Sequence, residues 1–73
     1  MENKTKQKII RKRDRIIKSL KYRIKMNGYE ENLGQKEARE YNDWLGKLMT
    51  EDKISYPEMA KYSGEMLEVI YQL

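Results

Sequence analysis

Ile10, Ile17 and Ile24 stand seven residues apart, with Ile9 and Ile16 beside the first two and Leu20 completing the row. A β-strand would alternate apolar and polar with period two, whereas this spacing lays the apolar side chains along one face of a helix. The residues between them are mostly Lys and Arg. The pattern therefore predicts an amphipathic helix over about residues 3–27. Asn27-Gly28 is its stop signal, because both residue types tolerate the left-handed conformation that ends helices. Tyr29 is placed to fold back on Ile24 as the apolar contact of a Schellman motif.

A second helix is expected over about 33–49, with Asn32 and Gln35 as a capping box. Its inner stripe is Ala38, Tyr41, Leu45 and Leu48, widened by Trp44 and Met49. Lys36/Glu40, Arg39/Asp43 and Asp43/Lys47 are four-apart pairs of a solvated face. Gly46 costs a helix interior about 1 kcal/mol relative to Ala, which suggests a second backbone lying close. The third helix, over about 56–72, opens on Ser55-Tyr56-Pro57-Glu58. Ser55 and Glu58 form a capping box, Pro57 sits in the first turn, and Ile54 and Met59 form a hydrophobic staple. Met59, Met66, Ile70 and Leu73 follow one face, flanked by Ala60, Leu67 and Val69, and Ser63-Gly64 is the expected point of bending. Residues 1–73 thus read as one all-α domain, a three-helix arrangement with a long basic N-terminal helix.

A 73-residue chain buries only about 60% of the surface it exposes when unfolded, so its core is marginal. Small domains commonly add disulfides, a metal or a partner. The chain has no Cys and no His. Disulfides and thiolate zinc sites are thereby excluded, as is the commonest general base. Self-association, as a homodimer, is the expected support. No run approaches the roughly 20 apolar residues of a membrane span, and no apolar segment follows the basic N-terminus as in a signal peptide. A cytoplasmic protein without membrane attachment is the expectation.

The charge is divided unevenly. Residues 1–25 hold eleven Lys or Arg against Glu2 and Asp14, a net of +9, while residues 26–73 hold five against ten, a net of −5. On a helical wheel Lys4, Arg11, Lys18 and Lys25 fall on one line, with Lys8, Arg15 and Lys12 beside it. Arg13 alone falls inside the apolar arc, so it must snorkel or meet an acid from another element. One account is that the acidic half neutralises the basic half within the fold. The other is that so much charge on one helix repels itself until an anionic partner binds.

Nothing points to catalysis. Glu37/Glu40 and Glu65/Glu68 lie at helical spacing on outer faces, without the cleft that separates the pKa values of working carboxylates. The four glycines do not form a phosphate loop, and the hydroxyl residues lack a histidine. No catalytic residue, cofactor or metal is expected. The tyrosines are more informative, since Tyr buries large area while keeping a polar tip and is enriched in interface cores. Tyr41 and Trp44 fall to the core, whereas Tyr22 and Tyr62 are the expected aromatic contacts for a partner.

In its size, split charge and spare tyrosines the chain resembles the small early proteins by which phages take over host machinery. Some of those block the replication sliding clamp, and others block RNA polymerase or nucleases. The resemblance implies an inhibitor or adaptor that binds a host protein of DNA replication or transcription, in the host cytoplasm. A clamp-binding peptide, a Gln followed by a Leu-Phe type pair, is absent from the sequence. Such proteins can imitate DNA with acids, and Glu30, Glu31, Glu37, Glu40, Asp43, Glu51 and Asp52 are the candidates here. The alternative is nonspecific nucleic-acid binding through the basic face of the first helix, which requires no motif. Residues 59–64 resemble the first helix and turn of a helix-turn-helix, but the segment after Gly64 is too apolar and acidic to read a groove.

Overall fold

The computed structural model describes residues 3–73, and Glu2, counted above in the charge of the first segment, lies outside them. Three helices follow in order, α1 (Asn3–Asn27), α2 (Gln35–Thr50) and α3 (Tyr56–Tyr71). No strand occurs among the described residues. The molecule measures 39 × 19 × 16 Å, its length set by the 25 residues of α1. α2 and α3 pack most intimately, and α1 lies against both.

The core gathers Ile9 from α1, Tyr41, Leu45 and Leu48 from α2, Ile54 from the second connection, and Tyr62 and Met66 from α3. Ile16, Ile17, Trp44, Met49, Met59 and Ile70 pack around this cluster from half-buried positions. On α1 the buried residues are Thr5, Ile9 and Leu20, so the centre of the buried face lies slightly to one side of the isoleucine row. Thr5 joins because it stands one helical turn before Ile9.

The α1–α2 connection is more contorted than its sequence suggests. Gly28 takes φ +78° and donates its N–H to the Ile24 carbonyl at 2.8 Å. This single bond from C′ to C3 is the αL motif, not the expected Schellman motif, and Tyr29 stays 71% exposed. Asn32 and Gly34 are both left-handed, at φ 62° and 87°. Asn32 is therefore no N-cap, and the residue before α2 is Gly34, which makes no side-chain cap. The Gln35 side-chain amide donates to Asn32 Oδ1 at 3.1 Å instead. The contortion drives Leu33 into the interior, where it is 7% exposed. A Cβ built on Gly34 would stand 2.9 Å from Ile70 Cγ2 and 3.2 Å from Leu20 Cδ1. The close approach expected at Gly46 is thus found at Gly34, and a Cβ on Gly46 would meet nothing within 4 Å.

The Schellman motif occurs at the other end of α2. Lys53 N–H donates to the Leu48 carbonyl at 2.9 Å and Asp52 N–H to Met49 at 3.0 Å, with Asp52 left-handed at φ 59°. Ile54 then enters the core beside Leu48. The α3 cap forms as its sequence requires. Ser55 Oγ accepts from Glu58 N–H at 3.3 Å, and Ser55 N–H donates to Glu58 Oε1 at 2.9 Å. α3 runs unbroken through Ser63-Gly64, and the Ser63 hydroxyl reaches Asn42 Oδ1 on α2 at 2.8 Å.

Candidate anion-binding face of the first helix

A long helix that buries one stripe must leave the opposite one to solvent. On α1 the exposed side carries Lys4, Lys8, Arg11, Arg15, Lys18 and Lys25. Lys4 to Lys25 spans about 32 Å at 1.5 Å per residue. Lys21 is exposed as well and stands three residues after Lys18 and four before Lys25, so it extends the face. Its place beside Ile10 and Ile17 on the wheel obscured it in the sequence.

Lys12 does not belong to this face. It is half-buried, with its ammonium 4.9 Å from the centre of the Trp44 ring, a cation–π contact worth about 0.5–1 kcal/mol at a site of this exposure. Two arginines are also withdrawn. Arg23 donates from Nη1 to Glu37 Oε1 at 2.7 Å, and its Nη2 lies 3.4 Å from Glu30 Oε2. Arg13 lies inside the apolar arc, as its position demands, and meets both Glu65 of α3 at 3.6 Å and Asp14 at 3.5 Å. The remaining seven cations of the outer face have no acid within salt-bridge distance among the described residues.

The acids do not assemble into one surface. Glu30 and Glu37 hold Arg23, Glu51 pairs with Lys53 at 3.4 Å, and Asp52 is the left-handed cap of α2. Glu40 and Asp43 share the outer face of α2 with Lys36, Arg39 and Lys47. Glu31 stands exposed in the first connection. Six of the seven candidates thus serve the fold or alternate with bases and Glu31 stands apart from them, unlike the continuous anionic track that imitates DNA.

Of the two expected aromatic contacts, one is corrected. Tyr62 is 6% exposed and part of the core, whereas Tyr22 is 63% exposed. Tyr62 stands three residues after Met59 and four before Met66, a spacing that places it on the inner face and could have revealed it. Tyr22 stands four residues after Lys18 and three before Lys25, among the cations. Met26, 61% exposed, follows one turn later.

Tyr41 lies close enough to Arg13 to feel its charge. The Tyr41 hydroxyl and Arg13 Nε are both buried without a hydrogen-bond partner. Burial pushes the Tyr41 phenol up to about 12, with the Arg13 charge opposing. Neither a protein-family model, a curated protein nor a solved structure matches the chain. Among the described residues no helix is long and apolar enough to cross a membrane.

Proposed function

We propose that this protein is a non-enzymatic helical binding protein. Its working surface is the outer face of α1, and its ligand is the phosphate backbone of a nucleic acid, bound without reading bases. The observation that carries this reading is the unneutralised row of Lys4, Lys8, Arg11, Arg15, Lys18, Lys21 and Lys25. The acidic half of the chain offsets Arg13 and Arg23 and leaves that row alone. Neighbours along it stand three or four residues apart, and each such like-charge contact costs a helix about 0.2–0.5 kcal/mol. The six contacts from Lys4 to Lys25 together cost about 1–3 kcal/mol. Asp14, exposed on the same face three residues after Arg11 and four before Lys18, offsets part of this. The balance is a sizeable share of the stability of so small a domain. A polyanion removes that cost and gains counterion release.

The sequence alone ranks a protein partner first. The ranking reverses because Tyr62 is buried and the acids are dispersed. A second reading survives on Tyr22 and Met26, whose exposed side chains at the end of the basic row resemble an aromatic anchor with a charged rim. On that reading the protein is an inhibitor or adaptor of the phage type, acting on an acidic surface of host replication or transcription machinery.

Titration with duplex and single-stranded oligonucleotides of unrelated sequence, at about 0.15 M salt where the screening length is roughly 8 Å, separates the two. Micromolar binding that ignores sequence, fails when Lys4, Arg11, Lys18 and Lys25 become Gln, and survives Tyr22→Ala supports the nucleic-acid reading. No binding to either oligonucleotide rejects it.

A further inference from the structure

In a chain of which 38% of residues are charged, one exposed stripe of α3 carries no charge. It consists of Tyr56, Ala60, Gly64, Leu67 and Tyr71, recurring at helical spacing along the whole element, with half-buried Ser63, bonded to Asn42 of α2, at its edge. Tyr56 is 66% exposed, Leu67 43% and Tyr71 85%, the most open apolar side chain described. A groove of about 480 Å³ separates Ser63, Leu67 and Tyr71 from Gln35, Ala38, Arg39 and Asn42 of α2 on one side of the stripe. Gly64 lies at its middle, where it costs the helix about 1 kcal/mol relative to Ala. A Cβ there would meet nothing in its own chain, so no contact within the molecule explains it.

The order of residues indicates what covers this stripe. Tyr56 and Tyr71 are equidistant from the Ser63–Gly64 peptide bond, as are Ala60 and Leu67. We propose that a second copy of the chain docks here, with its α3 antiparallel to the first about a two-fold axis at Ser63–Gly64. The two-fold makes the interface isologous. Each Tyr56 then meets the Tyr71 of the other copy, each Leu67 fills the space over an Ala60, and the helices approach closest where Gly64 lacks a side chain.

Charge supports the same register. Lys61 and Glu68 stand seven residues apart on one flank of the stripe, both exposed and neither in an ion pair among the described residues. A two-fold between antiparallel helices brings equal flanks together. It sets Lys61 of one copy within about 3 Å, along the axis, of Glu68 of the other at 1.5 Å per residue, twice per dimer. Docking through α1 instead would oppose two rows of cations. An interface of two such helices is small, at the transient end of the range. The inference is independent of what α1 binds.

Sedimentation velocity of the intact protein from about 1 to 300 μM, a range that brackets the micromolar affinity typical of small transient contacts, is the test. A monomer–dimer equilibrium is expected, weakened at least tenfold by Leu67→Glu, with circular dichroism checking that the variant stays helical. Lys61→Glu and Glu68→Lys each weaken it, and the double variant restores it. That restoration cannot come from misfolding. A monomer throughout the range overturns the proposal. So does a dimer indifferent to Leu67→Glu, or one that the double charge exchange fails to restore.

Discussion

Arg23 Nη1 donates to Glu37 Oε1 at 2.7 Å, joining the last turns of α1 to the first turn of α2 across the strained connection between them. The two side chains are 38% and 25% exposed, so solvent screens much of the attraction. A double-mutant cycle with Arg23→Gln and Glu37→Gln is expected to give a coupling of about 1 kcal/mol. The readout is urea unfolding, and a coupling near zero would show that packing alone holds this corner.

Gly34 and Gly46 are expected to respond to alanine in opposite directions. At Gly34 the backbone is left-handed and the new Cβ runs into Ile70 and Leu20, so Gly34→Ala destabilises by about 1–3 kcal/mol. At Gly46 the backbone is helical and the space open, so Gly46→Ala stabilises by about 1 kcal/mol. Thermal melts of the two variants check both signs.

The difference between these glycines also marks the limit of what the sequence discloses. A capping box such as Ser55–Glu58 is local, closed by residues three apart, and the chain states it outright. The apolar spacing of α1 is equally local, and it leaves Arg13 either to snorkel or to meet an acid, of which the fold takes the second. The first connection is not local. Asn32 and Gly34 turn left-handed because Leu33 must be buried and Gly34 must pass under Ile70, contacts made by α3, some 36 residues away. Lys12 is placed by a related effect, since it lies at the edge of its helical face and Trp44 of the neighbouring helix draws it out of the basic row. Tyr62 differs, because its spacing from Met59 and Met66 already assigns it to the inner face.

Tyr41 buries a hydroxyl that nothing accepts. Tyr41→Phe removes an unpaired polar atom without changing the ring, and is expected to leave stability unchanged or raise it by up to about 1 kcal/mol at neutral pH. The pH dependence has a definite sign. The phenol is raised from 10.0 to about 12 in the fold by burial, so its contribution is intact below pH 10 and is lost as pH rises from there through 12. Denaturation curves between pH 9 and 12 are expected to fall less steeply for Tyr41→Phe than for the parent.

Glu58 sets the opposite limit. The Ser55 backbone N–H, and secondly the Ser55 side chain, hold its carboxyl below the usual 4.5. Its contribution to α3 is therefore present above pH 4.5 and lost as pH falls through the depressed folded value. Glu58→Gln, which keeps the capping geometry without the charge, is expected to flatten the acid side of the stability profile. An unchanged profile would mean that the carboxylate adds nothing beyond its hydrogen bond.

The salt dependence of oligonucleotide affinity reports on phosphate neutralisation by the outer face of α1. Each phosphate contact on duplex DNA contributes roughly −0.9 to the slope of log K against log salt concentration. The parent protein is expected to show a slope of about −4 to −6, from the exposed cations that one duplex can reach. Replacing Lys4, Arg11, Lys18 and Lys25 by Gln is expected to flatten it by about 3 or more, equally for unrelated sequences. A parent slope near zero, or one that the four substitutions leave unchanged, would mean that this face does not neutralise phosphates.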